Sequence, residues 1–256
     1  MSADPAVTLT KAQQLEKMQR DWDARARENA RYYVATGNAE WSDQEFFASG
    51  EKAIAEDVLT DVINVCQGKD PKAMRVLEIG CGAGRLTRAL ANLFGEVHAV
   101  DVSGEMVARA RAALSGHPNA HVYQNNGQDL TVVPPLTRGK PGKALWAPLW
   151  LARVAPASWK IEFDFAYSNI VFQHIPSRQV IENYVREVHR LLRPGALFKF
   201  QVQGFPVEPN PDDTWNGVSF SDEQACDMAE RNGFEPRYRH GAGTQDFWLW
   251  YFKKPY

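Results

Sequence analysis

Two hydrophobic periodicities alternate along the chain. Short, nearly continuous apolar runs occur at 76–79, 96–101, 120–124, 163–168 and 196–202. Runs of this length suit strands buried on both faces of a parallel sheet. Between them apolar residues recur every three or four positions, as in Leu86, Ala89, Leu90 and Leu93, and again in Val180, Ile181, Tyr184, Val185, Val188 and Leu191. That spacing is the stripe of an amphipathic helix. Strands alternating with helices predict an α/β domain. Ser177 reads as the cap of the helix before the fifth strand, and Arg193-Pro194-Gly195 as its stop. Ser221-Asp222-Glu223-Gln224 is a capping box for a last helix, and 235–240 with 247–252 read as a closing β-hairpin.

The first 66 residues follow a different pattern. Residues 1–7 read as a disordered tail. Residues 8–34 are charged and helix-prone, with a thin apolar stripe of Leu15, Met18, Trp22 and Ala26. Ser42-Asp43-Gln44-Glu45 is a capping box for a second helix, expected to run to Cys66 with a break near Gly50. The expected organisation is therefore a helical cap or lid over 1–66 and an α/β core over 67–256. Residues 131–162 interrupt that core. Pro134, Pro135, Gly139, Pro141, Gly142, Pro148 and Pro156 punctuate this insertion, which also carries Lys140, Lys143, Trp146, Trp150 and Trp159. Its start reads as flexible and 145–154 as a short amphipathic helix. Long insertions in compact domains are functional or disordered in most cases. A substrate flap, an oligomer or membrane-surface contact, and a packing extension all remain open.

Composition narrows the class. A chain of 256 residues with 44% hydrophobic and 23% charged residues can bury a sizeable core. Its net charge of −2 gives no general attraction to nucleic acid. Three scattered cysteines build neither a disulfide framework nor a zinc cluster. His117 and His121 are four apart, but Pro118 spoils a helical metal pair, so no metal is expected. Without a signal peptide or a membrane span, the expected location is the cytoplasm. Arg20, Arg25, Arg27 and Arg31 are mixed with acids and read as a solvated face.

The chemistry concentrates in Arg75-Val76-Leu77-Glu78-Ile79-Gly80-Cys81-Gly82-Ala83-Gly84-Arg85-Leu86-Thr87. A strand runs into glycines at alternate positions and then into a helix. The glycines permit a tight turn and close approach of a ligand to the backbone, and the helix N-terminus faces that ligand. A nicotinamide-dinucleotide loop would read G-x-G-x-x-G. This stretch instead closely resembles motif I of class I S-adenosylmethionine-dependent methyltransferases, in the form E-x-G-C-G-x-G. The resemblance covers roughly 70–256 apart from the insertion. It implies a Rossmann-like, seven-stranded, mostly parallel sheet of order 3-2-1-4-5-7-6, with a C-terminal antiparallel hairpin and helices on both faces. It also implies S-adenosylmethionine as cofactor, held by Glu78, Gly80, Cys81, Gly82, Gly84, Arg85 and Leu86.

Further positions follow from the same resemblance. Asp101, beside Val102 at the end of the second strand, would accept hydrogen bonds from the ribose hydroxyls. Ser103 reads as the cap of the next helix, and Met106 matches an apolar position packed against adenine. Asn125-Asn126-Gly127-Gln128-Asp129-Leu130 matches the adenine loop, with Asn126 where the family usually has Asp and with Gly127 and Gln128 offering N–H groups. The stretch Phe163-Asp164-Phe165-Ala166-Tyr167-Ser168-Asn169-Ile170-Val171-Phe172-Gln173-His174-Ile175-Pro176 resembles the fourth strand and its loop, which brings Ser168 and Asn169 beside the transferred methyl. Ile170, Val171 and Phe172 replace the rest of an N-P-P-Y motif, which disfavours nucleobase amines as targets. Leu191-Leu192-Arg193-Pro194-Gly195 resembles a structural signature of the family, with Ala196 in place of its second glycine.

His174 is the candidate base, since imidazole titrates near neutrality; ordering its own loop is the competing role. Gln173 would orient the acceptor. Trp22, Tyr32, Tyr33 and Phe46 either touch substrate or staple the cap to the core. Phe205, in a loop after the fifth strand, would form a second wall. The expected activity is methyl transfer to an oxygen or nitrogen of a small or medium organic acceptor, without nucleic acid or a membrane span. Oligomeric state is left open. A methyltransferase acting on protein, peptide or RNA, and a non-catalytic binder of S-adenosylmethionine or S-adenosylhomocysteine, are the alternatives.

Overall fold

The computed structural model describes residues 9–134, 162–208, 210 and 212–255. The expected N-terminal tail, the helix at 145–154 and the three insertion tryptophans lie outside the described residues. Among the described residues seven strands form one sheet of order β3-β2-β1-β4-β5-β7-β6. The parallel strands are β1 (Arg75–Ile79), β2 (Glu96–Asp101), β3 (Ala120–Gln124), β4 (Phe163–Ser168) and β5 (Leu192–Val202). β6 (Phe234–His240) and β7 (Phe247–Lys253) close the sheet as an antiparallel pair. The chain starts in the middle at β1, moves outward to β3, then returns to β4 on the other side of β1. That reversal opens a crevice above the C-terminal ends of β1 and β4, where open α/β sheets bind ligands.

β1 is buried at all five positions. Successive side chains alternate faces. Leu77 and Ile79 join one core with Phe198 and Phe200, whereas Val76 joins the other with Phe165 and Leu197. This two-sided burial explains why apolar residues fall on both faces of these strands.

The helices are α1 (Lys11–Val34), α2 (Asp43–Ile54), α3 (Val62–Cys66), α4 (Arg85–Leu93), α5 (Gly104–Ala113), α6 (Arg178–Leu191) and α7 (Asp222–Arg231). The boxes at Ser42 and Ser221 and the caps at Ser103 and Ser177 form as expected. No helix among the described residues is long and apolar enough to cross a membrane.

Three local expectations are corrected. α1 starts from a capping box of Thr10 with Gln13, and it is kinked at Asn29, whose φ of −161° and ψ of 84° leave the helical region. The Asn29 side-chain oxygen accepts the Tyr32 N–H at 3.1 Å and so caps the last turn anew. Gly50 does not break α2. It lies where the helix meets the backbone carbonyl of Arg85, and a Cβ there would collide with it. The interruption comes later, after a wide turn over Ala55–Leu59. Finally, β5 begins at Leu192, which pairs with Phe163. Pro194 and Gly195 then bulge out, Gly195 at φ +77°, and pairing resumes between Phe165 and Leu197.

Candidate functional site

The glycine loop hangs from β2. The N–H groups of Gly80 and Cys81 both donate to the Val100 carbonyl, at 2.8 and 3.0 Å. Gly80 and Gly82 have φ of +75° and +52°. A Cβ on Gly82 would come within 2.6 Å of Val34, and one on Gly80 would strike Val171. Asp101 braces the turn: one carboxylate oxygen accepts the Gly82 N–H at 2.8 Å, the other the Ser103 N–H at 2.9 Å. Burial pushes the Asp101 carboxyl up to about 6 despite these two donors. Burial also raises the Cys81 thiol well above its ordinary range, so it stays neutral.

Above the loop lies a cavity roofed by α1. It gathers Glu78, Gly80, Cys81, Gly82, Arg85, Leu86, Asp101, Val102, Met106 and Asn169, together with Trp22 and Tyr33 from the cap. Two buried acceptors in its wall have no hydrogen-bond partner among the described residues: Oε2 of Glu78 and Oδ1 of Asn125. Glu78 is 2% exposed, and burial pushes its carboxyl up to about 7. The Asn125 amide nitrogen donates to the Tyr184 hydroxyl at 2.7 Å, which turns its oxygen away from that contact. A buried acceptor left unpaired costs about 1–3 kcal/mol. These two atoms, with Asp101, suit a ligand that carries an ammonium group, a pair of hydroxyls and an exocyclic amine. S-adenosylmethionine has all three.

The family model described as a methyltransferase domain matches residues 77–198. That span holds the glycine loop, Asp101, Asn125 and His174. Residues 77–198 thus carry a methyltransferase domain, and the sheet order is that of class I S-adenosylmethionine-dependent methyltransferases. A malonyl-[acyl-carrier protein] O-methyltransferase of Enterobacter lignolyticus is 27% identical over 56% of this chain and 45% of its own length. The chain thus matches less than half of that relative. Among solved structures, a DhpI complex with S-adenosylhomocysteine has a TM-score of 0.61 at 18% identity, covering 96% of this chain and 100% of that one. The magnesium protoporphyrin IX methyltransferase of Synechocystis PCC 6803 has a TM-score of 0.61 at 14% identity, covering 98% and 100%. At these identities the likeness is one of fold.

Beside this methyltransferase cavity lies a smaller polar chamber that shares Tyr33, Val34 and Ile170 with it. Gln173 and His174 line it. His174 is 5% exposed, and its Nδ1 lies 2.5 Å from the Trp215 carbonyl oxygen. A carbonyl only accepts, so Nδ1 carries the proton and donates, which leaves Nε2 with its lone pair. Burial brings the imidazole down to about 4, so it is neutral at physiological pH. The rings of Trp22 and Trp215 flank it at 5.3 and 4.8 Å.

Several expected site residues lie elsewhere. Asn126 does not line the cavity; its side-chain oxygen accepts the N–H groups of Gln128 and Asp129 in its own turn. The buried residue at the cavity is its neighbour Asn125. Gly127 sits beneath Leu15 and Met18 of α1, and neither it nor Gln128 lines the cavity. Gly84 caps α4 instead of lining the wall, and Ser168 lies beneath it, donating to the Ile79 carbonyl. Phe46 is packed between Trp41 and Phe47, and Tyr32 against Tyr33. Phe205 is 57% exposed and lines neither chamber.

Sequence spacing also missed a cluster. Glu96, His98 and His121 bring one ligand atom each within 4.8 Å of one another, across β2 and β3. It forms near the starts of the strands, away from the methyltransferase cavity. Arg75 donates to the second Glu96 oxygen at 2.7 Å, and the Tyr123 hydroxyl lies 3.1 Å from His98 Nδ1. Hydrogen bonds from His121, His98 and Arg75 hold the Glu96 carboxyl well below its usual range despite its burial.

Proposed function

We propose that the protein transfers the methyl group of S-adenosylmethionine to an oxygen or nitrogen of a small or medium organic acceptor. The observation that carries this reading is the pair of unpartnered buried acceptors, Glu78 Oε2 and Asn125 Oδ1, in one cavity with Asp101. Glu78 would hold the ammonium of the methionyl part, Asp101 the ribose hydroxyls and Asn125 the adenine amine, with Val102 and Met106 against the ring. Bound S-adenosylmethionine supplies a methyl carbon made electrophilic by its sulfonium. The acceptor would enter from the chamber lined by Gln173 and His174. As the acceptor attacks, its proton passes to the His174 Nε2 lone pair. Transfer would form the bond from acceptor to methyl carbon as the bond to sulfur breaks, with the electron pair left on sulfur.

His174 Nε2 can take a proton at any pH above about 4. Its low basicity limits how far it pulls, so positioning carries more of the acceleration. Orientation supplies on the order of 7–11 kcal/mol in favourable intramolecular systems. A general base adds about 10²–10⁴-fold. Residues 1–66 act as a lid in this reading: Met18, Trp22, Tyr33 and Val34 close the cavity and exclude water. The curated relative is an O-methyltransferase by name, which favours oxygen.

Titration calorimetry of the whole chain with S-adenosylmethionine and S-adenosylhomocysteine tests the cofactor, and a labelled-methyl screen tests transfer. Binding of neither ligand refutes the proposal. Binding without transfer to any acceptor class selects the non-catalytic alternative, and transfer only to protein or RNA selects the macromolecular one.

A further inference from the structure

We propose that the chamber beside His174 selects an uncharged acceptor bearing two hydrogen-bond donors, and that Gln203 is the residue that reads the second donor. This rests on the methyl-transfer reading above and adds the chemical class of the acceptor.

The walls of the chamber carry no formal charge. Its polar lining is Tyr33, Thr36, Gln173, Gln203, Asn216 and Gln245, with neutral His174. No Lys, Arg, Asp or Glu lines it among the described residues. Ionised groups around the chamber are engaged with protein partners: Asp213 accepts the N–H groups of Trp215 and Asn216 at 2.8 and 2.9 Å. Glu28 accepts the Tyr33 hydroxyl at 3.0 Å. Arg25 donates to the Thr214 carbonyl at 3.1 Å and lies over the rings of Trp22 and Trp215. A carboxylate or phosphate entering this chamber would shed water and meet no lining cation, which is strongly unfavourable.

Gln203 supplies the selective element. Its side chain lines the chamber and is only 7% exposed, and its Oε1 has no hydrogen-bond partner among the described residues. The backbone around it is fixed: its carbonyl accepts the Phe220 N–H at 2.8 Å, and it bridges to Ser219. The other glutamines are held in place. Ile170 N–H donates to Gln201 Oε1, so the Gln201 amide nitrogen faces and donates to Gln173 Oε1, both at 3.0 Å. That turns the Gln173 nitrogen toward His174 Nε2, 3.4 Å away. The oxygen of Gln173 is therefore occupied within the wall. Gln203 Oε1 remains unpartnered, and an incoming donor takes the His174 Nε2 lone pair by displacing the long 3.4 Å contact from the Gln173 amide. One donor belongs to the atom that is methylated and gives its proton to His174. The second stays protonated and pairs with Gln203. The rings of Tyr33 and Trp215 pack edge-to-face at 5.8 Å and give the chamber one aromatic side.

The test uses the whole chain with S-adenosylhomocysteine bound, and follows tryptophan fluorescence on adding 1,2-dihydroxybenzene, phenol, benzoate or phenyl phosphate. Binding of S-adenosylhomocysteine is measured first; its failure refutes the cofactor reading and not this one. The diol should bind more tightly than phenol, and both anions at least ~10-fold more weakly than the diol. Gln203→Leu should weaken the diol by ~3- to 10-fold, to the level of phenol, and leave phenol unchanged. Gln203→Glu keeps an acceptor oxygen and should retain the diol, which guards against a folding artefact in the leucine variant. An anion binding as tightly as the diol overturns the proposal. So does an unchanged diol-to-phenol ratio in a folded Gln203→Leu variant, or no binding of the diol to the S-adenosylhomocysteine complex.

Discussion

The Asp23 carboxylate of α1 accepts the Ser103 hydroxyl at 2.6 Å and the Glu105 N–H at 3.2 Å, so α1 is tied to the N-terminus of α5. A carboxylate at a helix N-terminus is favourably placed in the field of that helix. On the other bank, Asp21 accepts the Thr214 hydroxyl at 2.7 Å, and Arg25 donates to the Thr214 carbonyl. α1 therefore spans the cavity between two fixed points, one on each side.

If that bridge retains the ligand, Asp23→Ala should weaken S-adenosylhomocysteine binding by ~3- to 30-fold, the equivalent of a lost cap of about 0.5–2 kcal/mol. Amide exchange across 11–34 should quicken while exchange in β1 and β4 stays slow. Calorimetry and exchange mass spectrometry read the two effects. Wild-type values for both would remove the latch.

If Glu78 pairs with the ammonium group, cofactor binding should depend on pH. Its carboxyl sits at about 7 in the free protein and must ionise to pair with an ammonium group. Affinity should rise as pH increases to about 7 and level off above, with a slope of up to about tenfold per pH unit. Asp101, at about 6, steepens the slope at the acid end. Glu78→Gln should weaken binding and flatten the profile near neutrality. A pH-independent wild-type affinity contradicts the assignment.

Asp101 braces the glycine loop and is assigned to the ribose, so Asp101→Ala should cost about 10²–10⁴-fold in S-adenosylhomocysteine affinity, the range of two hydrogen bonds to a charged group. Asp101→Asn keeps one oxygen acceptor and should fall between. An alanine variant that binds as tightly as wild type refutes the ribose role.

His174 carries a stability signature separate from any role in turnover. Its folded value of about 4 is below the unfolded value of roughly 6.5, so the unfolded chain takes up the proton first. Its contribution is complete above pH ~6.5 and is lost as pH falls toward about 4, at up to about 1.4 kcal/mol per unit. Urea unfolding at several pH values should show a shallower acid loss in His174→Gln. With an acceptor in hand, a drop of about 10²–10⁴-fold in kcat for that variant identifies the base. Retained turnover assigns His174 to the loop alone.

What could be read without coordinates was what local sterics and spacing decide. The caps at Ser42, Ser103, Ser177 and Ser221 depend on residues three positions apart, and all four form. The turn after β3 was legible, but not which of its two asparagines faces the cavity. Asn125 and Asn126 are the same residue type in sequence, and only the turn decides which side chain is buried and which closes the turn. Gln203 carried no motif signal, because its importance lies in an unpaired oxygen. The Glu96, His98 and His121 cluster was hidden for another reason: strand register, not sequence spacing, sets neighbours across a sheet.

The sequence by itself determined the strand–glycine–helix unit, the position of Asp101 and the order of elements, since buried runs, helical stripes and Cβ-free turns are consequences of local geometry. Tertiary structure alone decided the contents of the two chambers. The kink at Asn29 lets one helix reach them with Met18 and Trp22 before the bend and Tyr33 and Val34 after it. The proton on His174 is set by Trp215, 41 positions away, and by burial that no sequence pattern encodes.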